Sequence, residues 1–504
     1  MNDADRRRID ENNHRLAAQW QPASVFHFFA DLSAIARGSG NTGSVADFLE
    51  AFAAKRHLEH ERDAAGNVII RKKGRKGKAD GVILQAHQDM VCVKRSDADH
   101  DFKTDPVEFL DQGDGWLRAA NTTLGADDGI GVALALAVLD DASLEHPPLE
   151  ALFTVDEETD MKGIKAVKAS SLKGDTLINL DAEDLNIAYV SSAAGATFRV
   201  DLPLRRESAQ GPVLRRLLID GLCGGHSGIE IHQARANAYV LLARFLATAA
   251  KAVPYALHSF EQGEGHGADN AIPDRAAALV SLASEAQAET LDNLVQTWNA
   301  TLRNEYRASD PGLNLRLIQT TADAPPALDP ASRDSLLDLV RLFPLGVWRF
   351  IQTEDLLDLR YGDLLVESSC NLGIVRTAEA KASLFFLARS CTPSVLEDYL
   401  SRAKALARLA GAVLSVTNNT SGWEIPTQPS RVQGLFKEQG VSLRGVHAGL
   451  ECGCLIEAFE EEGRKLDAIS VGPDLKDVHS PKERLHIGSV AELWGQLVRV
   501  LQQL

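Results

Sequence analysis

The pattern of apolar positions divides the first part of the chain into alternating strands and helices. Short apolar runs predict buried strands at Asn67 to Ile70, Val82 to Gln85, Leu149 to Val155 and Leu177 to Leu180. Apolar residues at helical spacing predict helices at Ser24 to Ala36, Gly43 to Arg56 and Val132 to Leu139. This alternation predicts an α/β domain with a mostly parallel sheet and helices on both faces.

The pattern changes near Ser191 to Gly195, where alternating segments predict antiparallel strands followed by helices. The segments are Ala196 to Leu202, Leu214 to Gly221, helix Ala234 to Ala250, and a later unit of strand Ser383 to Arg389, helix Ser394 to Ala410 and strand Ala412 to Val416. Past Gly422 the first pattern returns, with helix Ser430 to Gln439, strand Ala468 to Val471 and helix Val490 to Leu501. We therefore predict one domain from residues 1–192 and 424–504, interrupted by an inserted α+β domain, residues 193–423, with an antiparallel sheet.

Composition narrows the class of protein. A chain of 504 residues with 45% hydrophobic and 24% charged residues is typical of a globular protein of two or three domains. Its net charge of -17 opposes binding to nucleic acid or anionic membranes, so we interpret the basic run Arg71 to Lys78 as a solvated loop between strands. The six cysteines have no regular spacing, the first residues lack a signal-peptide core, and no apolar run is long enough for a membrane span. These features predict a cytoplasmic protein.

Candidate chemistry begins at the end of the strand at Val82 to Gln85. His87 and Asp89 follow it two residues apart, so their side chains point the same way from an extended chain. The carboxyl end of a strand is where open α/β sheets place their sites. His87 could bind a metal through one ring nitrogen while Asp89 holds the other, or the pair could be an ordinary surface contact.

Further acids follow the next predicted elements. Asp127 and Asp128 lie in a glycine-rich turn at a helix N-terminus, where they bind a ligand or merely cap the helix. Asp156, Glu157 and Glu158 follow the strand at Leu149 to Val155, and Asp181 follows the next predicted strand. Three adjacent acids beside a buried strand are costly unless something compensates their charge, although acidic runs are also common on surfaces.

The candidate metal ligands are His87, Asp127, Glu158, Asp181 and His479. Two imidazoles and three carboxylates are too many for one tetrahedral metal, but they suit two ions that share a bridging carboxylate. The mixed nitrogen and oxygen ligands favour zinc, with manganese or cobalt as alternatives. Glu157 and Asp89 then remain as additional acids beside the metals. In the inserted domain, His226 stands in the run Gly224-Gly-His-Ser-Gly, where it is either an ordinary exposed loop residue or part of a site.

At this point the chain resembles the co-catalytic zinc peptidases related to aminoacylase and carboxypeptidase G. The resemblance is greatest to the bacterial aminoacyl-histidine (Xaa-His) dipeptidases of the peptidase D type. The matching motifs run in family order across nearly the whole chain: His87-Gln-Asp-Met-Val, Thr123-Leu-Gly-Ala-Asp-Asp-Gly-Ile-Gly, Asp156-Glu-Glu, Asn179-Leu-Asp, Gly224-Gly-His-Ser-Gly, Asn270-Ala-Ile-Pro, His447-Ala-Gly-Leu-Glu-Cys-Gly and His479-Ser-Pro. The chain departs from these dipeptidases at Asp128, where they usually have Asn.

The resemblance implies a role for each residue. His87 and Asp181 would bind one zinc, Glu158 and His479 the other, and Asp127 would bridge them, with a cis peptide bond between Asp127 and Asp128. Asp89 would orient His87, Glu157 would be the general base, and His226 would stabilise the oxyanion from a lid domain. Asn270, Arg389 and Glu451 would contact the termini of the substrate.

The sequence thus predicts a cytoplasmic, metal-dependent dipeptidase that hydrolyses unblocked dipeptides, either of the Xaa-His type or of broad specificity. Its substrate would be a small peptide, with no nucleic-acid or membrane partner, and a homodimer is left open. One alternative is an amidohydrolase acting on N-acyl amino acids or short peptides. The other is a catalytically inactive relative that only binds peptides, which the presence of Glu157 beside a complete ligand set opposes.

Overall fold

The computed structural model describes residues 1–75, 81–208, 211–263, 267–321, 323–351 and 365–504. Buried apolar side chains form two large cores. The first core draws on residues between Ala17 and Val190 and between Trp423 and Leu504, whereas the second draws on residues between Ala194 and Ala412. We call them the sheet core and the lid core. Among the described residues, no helix combines the length and the apolar character that crossing a bilayer requires.

The sheet core begins with six helices and eight strands. The helices are α1 (Asp3–Ala17), α2 (Ala23–Ser33), α3 (Gly43–Lys55), α4 (Ala126–Asp140), α5 (Glu157–Asp160) and α6 (Lys162–Ala166). The strands are β1 (Glu59–Arg62), β2 (Val68–Lys72), β3 (Val82–His87), β4 (Phe109–Asp111), β5 (Trp116–Ala119), β6 (Leu149–Thr154), β7 (Thr176–Asn179) and β8 (Ile187–Ser192).

Within the described residues, the lid core contains four helices and thirteen strands. The strands are β9 (Ala194–Pro203), β10 (Arg206–Glu207), β11 (Val213–Asp220), β12 (Gly225–His226), β13 (Ala256–Glu261), β14 (Ala271–Ile272), β15 (Ala276–Leu282), β16 (Asn314–Gln319), β17 (Ala327–Leu328), β18 (Gly346–Ile351), β19 (Leu365–Thr377), β20 (Lys381–Ser390) and β21 (Val413–Thr420). The helices are α7 (Ala238–Ala249), α8 (Glu285–Glu305), α9 (Pro330–Leu342) and α10 (Pro393–Leu409).

The chain then returns to the sheet core with three helices and four strands. They are α11 (Arg431–Lys437), β22 (Ser442–Val446), α12 (Glu451–Glu461), β23 (Asp467–Ser470), β24 (Leu475–Lys476), β25 (Arg484–His486) and α13 (Ile487–Gln503).

The main sheet has eight strands in the order β1-β2-β6-β3-β7-β23-β8-β22. The pairs β6/β3, β3/β7, β7/β23 and β8/β22 are parallel, while β1 and β2 form an antiparallel edge. Every residue of β3 and β6 is buried, as expected for strands covered on both faces. At the other side of the sheet, β8 pairs antiparallel with β23 at Tyr189 and Ser470. The predicted α/β fold class is confirmed, with these antiparallel pairings as an addition.

The lid core contains two larger sheets, both antiparallel as predicted. One has five strands in the order β18-β19-β20-β9-β21, and the other has four in the order β13-β15-β11-β16. The chain enters and leaves this core side by side, because Ser192 and Trp423 each donate a backbone hydrogen bond to the other, both at 3.0 Å. The predicted domain boundaries, residues 192/193 and 423/424, stay a prediction.

The interpretation of Arg71 to Lys78 as a loop is wrong at its start. Arg71 and Lys72 belong to β2, where the Arg71 guanidinium bonds to Glu150 (2.9 Å) and Glu61 (2.6 Å), acids on the two flanking strands. These cross-strand ion pairs extend the strand beyond its apolar residues. Residues 76–78 of the run lie outside the described residues.

Candidate metal centre

The five predicted ligands come together at the carboxyl ends of three parallel strands. His87 is the last residue of β3, Glu158 lies one turn past β6, and Asp181 lies just past β7. Asp127 stands at the start of α4, and His479 comes from the loop between β24 and β25. Parallel neighbours end at the same edge of a sheet, so residues distant in sequence share one site.

Asp127 lies between the two histidines. One of its carboxylate oxygens is 3.2 Å from His87 Nε2, and the other is 3.1 Å from His479 Nε2. Each imidazole nitrogen also faces a second acid: His87 Nε2 is 3.5 Å from Asp181, and His479 Nε2 is 3.0 Å from Glu158. One carboxylate is thus shared by two nitrogen–oxygen groups, which is the arrangement expected of a bridging ligand.

The separations between these atoms suit metal ligands. Zinc bonds of 2.0–2.2 Å in tetrahedral geometry place neighbouring ligand atoms about 3.3–3.5 Å apart. Asp127, Glu158 and His479 offer ligand atoms that all lie within 4.8 Å of one another, and so do His87, Asp128 and Asp181. The chemistry of the donor set, mixed nitrogen and carboxylate oxygen, fits a divalent ion of the zinc type.

Asp128 is the added acid in that second set. It is 1% exposed, and its two oxygens accept hydrogen bonds from the backbone N–H of His87 (3.2 Å) and Gly131 (3.1 Å). Burial raises the pKa of Asp128 well above its usual value, and the charge of Asp181 adds to the effect. The peptide bond between Asp127 and Asp128 is cis, as the resemblance implies. Asp128 therefore joins the end of β3 to the first turn of α4.

Asp89 is fully buried and contacts two parts of the site. Its carboxylate is 3.5 Å from His87 Nδ1 and accepts hydrogen bonds from the backbone N–H groups of Glu157 (3.1 Å) and Glu158 (3.3 Å). Ser39 Oγ donates a further bond at 2.7 Å. Although burial opposes ionisation, the contacts with His87 and Ser39 lower the pKa of Asp89 to about 2. One carboxylate thereby orients the histidine and fixes the turn that carries the two glutamates.

The centre holds more negative charge than its own residues neutralise. Burial raises the pKa of Glu157 well above its usual value and that of Asp181 to about 7, and the neighbouring carboxylates contribute in both cases. At His479, hydrogen bonds to Asp127 and Glu158 raise the pKa to about 11. Buried acids that repel one another in this way are the environment that a divalent cation stabilises.

His226 belongs to the lid core, on β12. Its Nδ1 accepts hydrogen bonds from the backbone N–H groups of Gly228 and Ile229, both at 3.2 Å. Burial, followed by the charge of Arg389, lowers the pKa of His226 to about 4, and His479 of the same chain adds to the effect. The imidazole is therefore neutral at pH 7, and because Nδ1 accepts, its hydrogen is on Nε2.

The three predicted substrate contacts lie in different settings. Arg389 on β20 is 8% exposed, and burial lowers the pKa of its guanidinium to about 10. The side chain of Asn270 is exposed, while its backbone carbonyl accepts a hydrogen bond from Ser227 N (2.8 Å), next to His226 in the chain. Glu451, at the start of α12, is fully buried, and its Oε2 accepts a bond from Thr154 (2.8 Å) under the metal centre. Its Oε1 has no hydrogen-bond partner within the described ranges.

Sequence reasoning missed Glu483, which is 2% exposed. One carboxylate oxygen accepts hydrogen bonds from Leu124 N (2.7 Å) and Gly125 N (3.0 Å), and the other from Ala126 N (2.8 Å) and, more weakly, Asp127 N (3.4 Å). It therefore caps α4 at the turn that carries Asp127. The available signal was an acid four residues after His479 combined with a helix N-terminus that lacks a side-chain cap of its own.

Two more residues near the site were not assigned. The buried Arg37 donates to the backbone carbonyls of Gln88 (3.1 Å) and Asp89 (3.0 Å) and also to that of Gly125, which ties β3 to the turn before α4. His447, in a motif that carried no role of its own, is 2.7 Å from Ser369 Oγ through Nε2. This contact joins the loop before α12 to β19 of the lid core.

Comparison with known proteins identifies the family of the chain. A sequence model described as a peptidase dimerisation domain matches residues 219–310. Over 497 residues, 97% of this chain and 99% of the relative, the sequence is 35% identical to the cytosol non-specific dipeptidase of Escherichia coli (strain K12). The crystal structure of aminoacylhistidine dipeptidase from Vibrio alginolyticus has a TM-score of 0.81 at 32% identity, covering 97% of this chain and 98% of that one. A tripeptidase from Staphylococcus aureus shares the fold, with a TM-score of 0.52 at 14% identity and coverage of 96% and 98%. The chain therefore belongs to the M20 peptidase family, together with the cytosol non-specific dipeptidase of Escherichia coli.

Proposed function

We propose that this chain is a metal-dependent dipeptidase that hydrolyses unblocked dipeptides, with Glu157 as general base. The observation that carries the proposal is the shared carboxylate of Asp127, whose two oxygens face two different imidazoles. Glu157 lies close to one of them, His87. The names of the relatives support the substrate class, because the Escherichia coli protein is a non-specific dipeptidase and the Vibrio protein an aminoacylhistidine dipeptidase. These names favour a dipeptide over a longer peptide.

Two divalent ions, most simply zinc with manganese or cobalt as alternatives, would lower the pKa of a water molecule and polarise the scissile carbonyl. His87 and Asp181 would hold one ion, Glu158 and His479 the other, and Asp127 would bridge them. A separation of about 3.5–4 Å between the ions is expected for such pairs. Finding only one occupiable site at saturating zinc would contradict this part of the proposal.

Glu157 would move the proton. Its carboxylate would take a proton from the attacking water and then give it to the nitrogen of the leaving amine. The same group would thus act first as general base and then as general acid. The raised pKa of Glu157 favours the first of these steps, because burial stabilises the protonated form once the proton has arrived. Asp89 supports this role because its carboxylate accepts a hydrogen bond from the backbone N–H of Glu157. This bond fixes the backbone position from which the Glu157 side chain extends.

His226 would stabilise the carbonyl oxygen as it becomes negative. Its Nε2–H is the free donor of a neutral ring, and a donor of this kind acts most strongly when charge develops on the substrate. Arg389 would bind the carboxyl terminus of the dipeptide, and Asn270 and Glu451 would lie near the remaining polar groups of the substrate.

The relatives and the two hydrophobic cores support proposals on the domain organisation, the location and the oligomeric state of the enzyme. We propose that residues 1–192 and 424–504 form the catalytic domain and that residues 193–423 form the lid, which the separation of the two cores supports. The relative named for the cytosol supports a cytoplasmic location. The match to a peptidase dimerisation domain supports a homodimer.

The test is hydrolysis by the zinc-loaded protein of three substrate sets: Xaa-His and other free dipeptides, tripeptides, and N-acetyl amino acids. Cleavage confined to free dipeptides is expected, and the ratio of rates on Xaa-His and other dipeptides would define the specificity. Faster cleavage of N-acetyl amino acids would make the chain an amidohydrolase instead. Binding of dipeptides without turnover, at the level of the Glu157→Gln variant, would make it an inactive relative.

A further inference from the structure

A second group of metal-ligand side chains lies on the N-terminal helices. On α1, Asp10 and His14 are four residues apart, and on α2, His27 and Asp31 are also four residues apart. Residues at this spacing lie on the same face of a helix. The two helices pack against each other, so the two pairs face one another across the contact.

Asp31 lies between the two imidazoles. One of its oxygens is 3.2 Å from His14 Nε2, and the other is 3.7 Å from His27 Nε2. Asp10 approaches the same His14 nitrogen at 3.4 Å. The two rings have centroids 4.9 Å apart and are tilted by 50°, so they are not stacked face to face.

These separations suit a tetrahedral ion. The ligand atoms of His14, His27 and Asp31 all lie within 4.8 Å of one another. The two nitrogen–oxygen distances that involve Asp31 are close to the separation of about 3.3–3.5 Å expected between neighbouring zinc ligands. Within the described part of the chain, this is the only such group that contains none of the catalytic residues. Arg56, the nearest cation to Asp31, is bonded to Asp140 at 2.5 Å.

We propose that His14, His27 and Asp31 bind one Zn²⁺ ion, a third per chain, with Asp10 or water completing the coordination. Two imidazoles and a carboxylate form a donor set that zinc prefers over magnesium or calcium. The half-exposed position of the residues leaves room for water and for entry of the ion. The inference does not depend on the peptidase activity.

The ion would fasten α1 to α2. Elsewhere α1 is held by Asn13, whose side chain donates to Val107 O and accepts from Phe109 N, both at 2.8 Å. Helix α2 in turn packs against α4, which carries Asp127. The zinc site would therefore add a cross-link between the first helix and the element on which the catalytic centre is built.

The test is equilibrium dialysis of the untagged protein against Zn²⁺, with bound metal counted by mass spectrometry. Wild type should bind three ions per chain, whereas His14→Asn and His27→Asn should each bind two. His232→Asn, a change at an exposed lid histidine outside the cluster, should leave three. In an Asp127→Ala background the protein should keep at least the N-terminal ion, and His27→Asn should remove that ion.

Hydrogen exchange supplies a readout other than metal count. Zinc added to the Asp127→Ala protein should slow exchange of the α1 amides at least tenfold, and His27→Asn should abolish the effect. The proposal is overturned if wild type and both histidine variants bind the same number of ions. It is also overturned if zinc leaves exchange in α1 unchanged. Loss of peptidase activity alone would concern the catalytic centre and not this site.

Discussion

Replacing Glu483 with glutamine should weaken both the fold and the metal centre, although Glu483 touches no substrate. Each oxygen of its carboxylate accepts bonds from two backbone N–H groups at the start of α4. The amide that Glu483→Gln introduces keeps one acceptor oxygen and turns its NH₂ group toward the other two N–H groups. Those two donors are then buried without a partner.

The magnitude follows from the contacts that are lost. A buried N–H group without an acceptor costs about 1–3 kcal/mol, so two of them cost about 2–6 kcal/mol. The substitution also removes the charge that most favours the buried guanidinium of Arg37, which acts in the same direction. We expect the free energy of unfolding to fall by about 2–6 kcal/mol.

The assay is urea unfolding of the metal-free protein, with zinc affinity measured separately by chelator competition. Because Glu483 fixes the turn that presents Asp127, zinc affinity should fall about 10–100-fold, the usual effect of removing a group that orients a ligand. The matched control is Glu492→Gln, an exposed acid on α13, which should stay within about 0.5 kcal/mol of wild type. A Glu483→Gln protein as stable as this control, with unchanged zinc affinity, would refute the role assigned to the cap.

Three further outcomes are expected. Glu157→Gln should retain both metals but lose turnover by about 10²–10⁴-fold, and near-wild-type rates would place the base elsewhere. His226→Ala should reduce kcat by about 10²–10³-fold with unchanged zinc content. In a mixture of this variant with Glu157→Gln, recovered activity would mean that His226 acts across a dimer, and no recovery would mean that it acts in its own subunit. Burial, aided by Arg389, lowers the pKa of His447 from 6.5 to about 3. The stability that its neutral form contributes is therefore complete above pH 6.5 and is lost as the pH falls toward 3. The free energy of unfolding of His447→Gln should consequently fall less steeply in this pH range, by up to about 1.4 kcal/mol per pH unit. An identical pH slope would contradict this.

The clustering of the candidate ligands was predictable because each of them stands next to a local pattern. His87, Glu158 and Asp181 each follow an apolar run that the sequence identifies as a strand, and parallel strands bring their carboxyl ends to one edge. Their order along the chain therefore carries information about position in space. Asp127 is similarly marked by glycines before an apolar helix.

The supporting contacts were not predictable because their partners are distant in sequence. Glu483 bonds to backbone groups 356 residues or more away, and backbone N–H groups leave no trace in the sequence. The burial of Glu451 is hidden for the same reason, since it depends on Thr154 across the sheet. The end of β2 at Arg71 and Lys72 shows that ion pairs between strands can extend an element past its apolar residues.

The side-by-side crossing at Ser192 and Trp423 has a consequence for the order of folding. The main sheet needs β22 and β23 from the last part of the chain, and bringing them to β7 and β8 closes a loop of roughly 230 residues. Closing a flexible loop of that length costs about 5 kcal/mol in chain entropy. If the lid core forms first, β9 and β21 already hold the two ends together at Gly195 and Thr420. The last eighty or so residues then join the sheet as if the chain were continuous.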